Sequence, residues 1–414
     1  MNHSRGKIFL AAATAGILLF TAACSAPKEN QSGTSSGEVS TGEKTDGGKA
    51  SYTDTYDPEA LFKFGMTPVK DKETGKYGYK NEAGQWVIEP QFMRAEDFQV
   101  NKTAFVRTGS NKDEYRLIDR DGNFVSDYIF KNCTQGLVFS PDGIAAGQVL
   151  QTDGTELGKG YFYLENGEIV FVKREETSIS DFSYDGYAVL DGKQVIDKNF
   201  EVVMDAPEDI YIMSAQSGFI TYRKGTGVYG YMDFEGKTVG DTSANTVSPF
   251  AENGLAVSDD KIIDKDWNVI FDIADSGYSL IASNFKNSDW VEVSRHSSNR
   301  GGTDFNFVNA QGELFLPADA YEHSHMDGGY PIKNDIYVGP APVLKDAQGN
   351  ITGVGESDEY ATVAVNKSME ILYVPSEKGV QDVGAYHSDG YAFAENEDEE
   401  KVIIDREGNI VLEV

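Results

Sequence analysis

The sequence predicts an all-β fold of tandem β-meander repeats closed into a β-propeller-like ring, with an open β superhelical array as the alternative. Three observations carry this expectation. From residue 66 onward, a run alternating apolar and polar residues, an Asx-x-x-Gly turn and a second alternating run recur down to the C-terminus; alternation with period two marks a half-buried strand. The first residues of these turns, from Asn81 to Asp405, recur about every 40 residues, the size of a small meander that cannot stand alone and is stabilised by stacking. Finally, 40% hydrophobic and 12% aromatic residues suffice for a core between such units.

The copies run Tyr77 to Ile88, Tyr115 to Val125, Tyr161 to Val170, Val195 to Val203, Tyr229 to Val239, Ile262 to Phe271, Phe305 to Phe315, Val363 to Leu372 and Val402 to Leu412. At the first turn position Asp or Asn accepts a hydrogen bond from the backbone ahead of it, and Gly at the fourth tolerates positive φ. Asn81/Gly84, Asp119/Gly122, Asp233/Gly236, Asn309/Gly312 and Asp405/Gly408 fit this rule. Three turns carry Phe200, Trp267 or Met369 in place of Gly. These are expected to close differently, with Asn199 or Asp266 supplying the unusual φ, and their large side chains to cover a neighbouring unit.

A second element precedes many hairpins: an aromatic residue, a polar Gly or Asn turn, then a strand of small apolar residues. It appears at Phe98 to Val106, Phe139 to Ala145, Phe182 to Leu190, Phe250 to Val257 and Tyr386 to Ala394. Each repeat thus supplies three strands, with room for a fourth. The long interval from Asn309 to Asn366 contains an extra turn at Asp346 to Asn350, making Leu316 to Tyr360 an insertion and the best place for a specific function. Asp57 to Phe64 predicts one short helix, capped by Asp57 with Pro58 at its first position. The last strand, Asn409 to Val414, is expected to complete the first unit and close the ring.

Gly75, Tyr77, Gly78, Tyr79, Asn81, Gly84, Val87, Ile88, Pro90 and Phe92 stand in the register of the WG-repeat family of bacterial proteins, which this array resembles over roughly residues 66 to 414. Tyr229 to Asp233 with Gly236 is the next best copy. The family's Trp-Gly is Tyr-Gly here. The resemblance implies an all-β repeat array used mainly for binding, and implies no activity.

Residues 1–23 have the layout of an export signal, with Arg5 and Lys7 before an apolar run too short to span a bilayer comfortably. The run ends in Phe20-Thr21-Ala22-Ala23-Cys24, which resembles the lipobox of bacterial lipoproteins. That resemblance implies lipidation of the Cys24 thiol, palmitate included, and anchoring to the outer face of the bacterial cytoplasmic membrane or envelope. Residues 24–51 read as a Ser/Gly-rich disordered tether, reaching on the order of 30 Å as a flexible coil. The repeat domain follows at 52–414. The only other cysteine is Cys133; with Cys24 acylated no internal disulfide can form, and Cys133 reads as a core residue.

Lys and Arg total 36 against 67 Asp and Glu, a net charge of −31. Such a surface repels nucleic-acid phosphates and anionic headgroups, so no nucleic-acid partner is expected. Within the repeat domain no phosphate loop, Gly-x-Ser-x-Gly or His-Glu-x-x-His occurs, and no cofactor is expected. Ser283 to Lys286 matches Ser-x-x-Lys, but without the long helix that such a site needs. Asp119 to Asn123 resembles the start of a calcium loop, yet Phe124 stands where that loop needs Gly. His323, His325 and Asp327 are a weak metal candidate, because His at i and i+2 of a strand face the same way; the plain alternative is a solvated loop. Most of the 22 Tyr and 23 Phe are expected in the core. The resulting expectation is a lipid-anchored, extracytoplasmic β-repeat protein that binds a protein, peptide or cell-wall glycan. The alternative is an envelope hydrolase or lyase with a site on the repeat face, and a solute-capturing lipoprotein fits less well.

Overall fold

The computed structural model describes residues 52–414 except 135, 281–284, 286–288, 298–301, 318 and 322–331. Among these, nine antiparallel sheets of three to five strands follow one another along the chain, spanning 67–92, 94–118, 128–173, 187–205, 210–244, 255–272, 279–321, 332–373 and 380–413 (blades 1 to 9). Among the described residues helical structure is limited to two single 3₁₀ turns, Ala274–Ser276 and Pro375–Lys378. No helix among the described residues is long and apolar enough to cross a membrane.

The core lies between blades. Tyr79, Ile88, Phe98 and Val106 join blade 1 to blade 2; Phe105, Leu117, Phe130 and Phe162 join blade 2 to blade 3. The pattern continues around the chain. It ends with Leu61, Phe62 and Val69 packed on Ile403 and Leu412, which seats blade 9 against blade 1. The nine seams therefore form a closed ring, a nine-bladed propeller, and not an open array.

The Asx turns close as expected: Asn81, Asp119, Asp233, Asn309 and Asp405 each donate their N–H to the carbonyl four residues on. Asp346 to Asn350 makes the same turn in the insertion (Asp346 N–H to Asn350 O, 3.0 Å). The turns with Phe200, Trp267 and Met369 close no differently, contrary to expectation. These three residues themselves adopt φ of 65°, 67° and 61°, and Asn199 and Asp266 do not supply it. Burial offsets the strain of a left-handed side chain, since the rings and thioether do cover neighbours: Phe200 packs on Tyr161 and Tyr163, Trp267 on Phe219 and Tyr231, and Met369 against the seam of blades 7 and 8. The copy at Tyr161 to Val170 turns more tightly, through Asn166 and Gly167, both at positive φ.

Two further expectations are corrected. Asp57 to Phe64 is a capped turn and not a helix: Asp57 Oδ1 accepts from Glu59 N–H at 2.8 Å, but Phe64 turns to φ 55°. Leu61 and Phe62 face blade 9 whereas Phe64 faces blades 1 and 2, a division that one helix face cannot provide. The last strand, Ile410–Glu413, pairs within blade 9 with Lys401–Ile404. The ring is closed instead by the segment before blade 1, as described below.

In the Tyr-Gly-Tyr signature, a Cβ on Gly78 would fall 2.4 Å from Ile88 O, where the partner strand bulges around Pro90; Pro90 thus sits in a bulge, as proline in a sheet usually must. The second Tyr is buried and crosses the seam. Tyr79 donates its hydroxyl to Glu96 O (2.7 Å), Tyr161 to Ser180 O (3.0 Å) and Tyr231 to Ser248 O (2.9 Å), each on the next blade.

Candidate ligand-binding mouth

The aromatic-turn elements are the first hairpins of their blades, and they share one hydrogen-bond pattern. Gln99, Ser140, Ser183, Ala251 and His387 each donate N–H to the carbonyl four residues on. Position four takes positive φ, as Gly143, Gly186, Gly254 and Gly390, but as Lys102 in blade 2. Blades 5 and 8 use tighter turns at Ser217-Gly218 and Asn334-Asp335.

All of these turns except that of blade 9 reach one cavity of about 1460 Å³, lined by residues of blades 2 to 8 and by Tyr56, Pro58, Glu59 and Lys63 of the segment before blade 1. Only the axis of a closed ring can be reached from opposite blades, so the cavity is the mouth of the central channel. Tyr56, Tyr115, Tyr184 and Leu137 are half-buried in its wall, and Val138 stands 58% exposed. Phe98 and Phe139 lie beneath, buried. Among the described residues, five carboxylates, Glu59, Glu96, Asp97, Glu252 and Asp289, face it with a single ammonium, Lys63.

Many polar groups at the mouth tie one blade to the next. Lys63 Nζ meets Asp97 at 2.8 Å. Gln99 donates its amide to Leu137 O (3.1 Å) and accepts from Phe139 N–H (2.6 Å). Tyr184 is hydrogen-bonded to Ser217, and Gln216 donates to Phe250 O at 2.8 Å. Asn253 donates to Asp289 at 3.1 Å and Asn334 to Tyr386 O at 2.6 Å. At the closing seam, Ser388 N–H and His387 Nδ1–H both donate to Glu59 O (3.1 and 3.0 Å), Ser388 Oγ donates to Asp57, and Asp389 accepts from Phe62 N–H at 2.8 Å. A belt of mostly half-buried bonds holds the loops in place.

Of the residues singled out in the sequence, Asp119 is committed to its own turn: Oδ1 accepts from Asp121 and Asn123 N–H at 2.9 Å each. Cys133 packs on the seam of blades 3 and 4, and burial pushes its thiol up, as for a packing residue. Cys24, Ser283, Lys286, His323, His325 and Asp327 lie outside the described residues. The mouth residues could not be found from sequence chemistry, because no motif marks them; their signal was only the position of each aromatic-turn element.

Residues 77–111 match the family model for the WG containing repeat. That stretch runs from the second strand of blade 1 through the second strand of blade 2, so the repeat unit spans a seam and includes both Tyr79 and its acceptor Glu96. No curated protein sequence matches the chain. Among solved structures, it is similar to a eukaryotic initiation factor (11% identity, 83% of this chain and 93% of that one, TM-score 0.46). It is also similar to BamB from Moraxella catarrhalis (9%, 77% and 86%, 0.26) and to Kluyvelomyces marxianus Hsv2 (10%, 67% and 88%, 0.29). The nine seams define the ring independently of these likenesses.

Proposed function

We propose that this protein is a lipid-anchored, extracytoplasmic binding module whose ligand docks in the mouth of the ring. One observation carries the reading: turns from blades 2 to 8 and the segment before blade 1 meet around one cavity, and the cross-blade bonds above preorganise it. A rigid concave site with an apolar floor and few convergent polar groups is the usual form of a ligand site. The leader ending at Cys24 supports the anchor.

The test has two arms. Cys24→Ser moves the protein from the membrane fraction to the soluble one; unchanged fractionation overturns the anchor. Photo-crosslinkers at position 138 capture an envelope protein, peptide or glycan that crosslinkers at position 269, exposed on blade 6, do not; equal capture from both positions overturns the site.

A further inference from the structure

We infer that the mouth selects an extended cationic peptide with apolar residues between its Lys or Arg side chains; this rests on the mouth being the binding site. Charge is the first reason. Glu59, Glu96, Asp97, Glu252 and Asp289 face the cavity and Lys63 is the only cation lining it among the described residues; Lys63 is held by Asp97, and Glu96 by Arg94 outside the lining at 2.6 Å, so the lining stays net negative. A concave wall of one sign concentrates its field and attracts the opposite charge, and the net charge of −31 extends that field outward. The second reason is the apolar surface set between the carboxylates: Val138, Leu137, Pro58, Pro141, Pro249 and Tyr56. Lys and Arg lay aliphatic stems on such surface while their heads reach the rim, and guanidinium or ammonium groups gain from tyrosine faces. Size is the third. At about 1460 Å³ the cavity exceeds the roughly 300–1,000 Å³ of a drug-sized site. A small amine cannot touch opposite blades at once, and a neutral sugar can hydrogen-bond the carboxylates but leaves their charge unpaired, whereas an extended cationic peptide spans the cavity and pairs that charge. Glu252 has no hydrogen bond or ion pair among the described residues, and it is exposed, so it is open to a ligand.

Calorimetry on the full chain tests this with three probes: a blocked peptide alternating Lys and Leu, its Glu-for-Lys counterpart and a neutral chito-oligosaccharide. The expected result is binding of the Lys peptide alone, weakening as salt rises. Glu252→Gln with Asp289→Asn weakens it about three- to tenfold, the worth of two partly exposed ion pairs. The same charge change at Glu165 and Glu168, exposed on blade 3, leaves it unaltered. Absence of binding by the Lys peptide, or equal weakening by both double variants, overturns the inference. Binding of the Glu peptide or the oligosaccharide that is lost in Val138→Asp overturns the cationic preference while leaving the mouth as the site. Probe binding indifferent to Val138→Asp and to the mouth charges overturns both.

Discussion

Across the seam of blades 5 and 6, Trp267 lies over Gly240, its Cε3 only 2.2 Å from where a Cβ on Gly240 would stand. The pair inverts a rule followed at other seams. There, the residue four beyond one blade's turn is large and the next blade's turn carries Gly: Ile88 over Gly122, Met204 over Gly236, Phe271 over Gly312, Tyr373 over Gly408 and Leu412 over Gly84. Large meets small at each of these seams, because close packing leaves room for only one. Gly240→Ala is expected to cost about 1–3 kcal/mol through overpacking, aggravated by φ 65° at that position. In a Trp267→Gly background, already weakened by a lost ring, the same change should cost much less. Thermal melts of the double-mutant cycle check this, and additive losses would refute the pairing.

The seam tyrosines give a second prediction. Burial pushes the phenols of Tyr79, Tyr161 and Tyr231 up, so each remains a donor at neutral pH. Tyr79→Phe and Tyr231→Phe each leave a carbonyl of the next blade without this donor, and each is expected to cost about 1 kcal/mol. Tyr77→Phe, at a half-buried position of the same strand, is the comparison. Denaturant midpoints should fall for the first two and barely move for the third.

How much of this was legible in the sequence follows from which physics is local. Asx turns depend on four consecutive residues, and so Asn81, Asp233 and Asp405 announced their hairpins. The left-handed Phe200, Trp267 and Met369 were misjudged because their strain is offset by a neighbouring blade, which lies about 40 residues away in sequence. Closure was misassigned for the same reason: the Asp57 turn could be read locally, but its partner Ser388 is 331 positions away. The mouth was least legible of all, because it exists only once blades 2 to 8 face one another.

The closing seam should respond to pH with two opposite signs. The hydrogen bond from Ser388, with the Glu59 N–H, holds the Asp57 carboxyl below its usual 3.8. A lowered carboxyl stabilises the fold above its unfolded value, and the contribution is lost as pH falls through the folded one. Burial, with the nearby charge of Asp389, pushes Glu82 above its usual 4.5, so its relative contribution is present below 4.5 and is lost as pH rises through the folded value. Asp57→Ala is therefore expected to lower the melting temperature at pH 7 and to matter less below 3.8. Glu82→Gln, which can still accept from Tyr391, should raise it at pH 7 and do nothing near pH 3. Melts across pH 3 to 7 read both, and parallel curves for either variant would refute the assignment.

The belt at the mouth separates polar groups that hold the loops from those that can meet a ligand. Gln99 holds two backbone groups of the blade 3 turn, Leu137 O and Phe139 N–H, and no other residue of blade 2 is bonded to them among the described residues. Gln99→Ala strands both, and each partly buried backbone group left unpaired costs about 1–3 kcal/mol unless water reaches it. Glu252→Gln, on an exposed side chain, should leave stability within about 0.5 kcal/mol of the parent. Amide exchange sharpens the contrast. Gln99→Ala should speed exchange at Phe139 and its turn, and Glu252→Gln should leave every blade protected. If both variants melt alike, the belt does not hold the loops and the mouth is shaped by the seams alone.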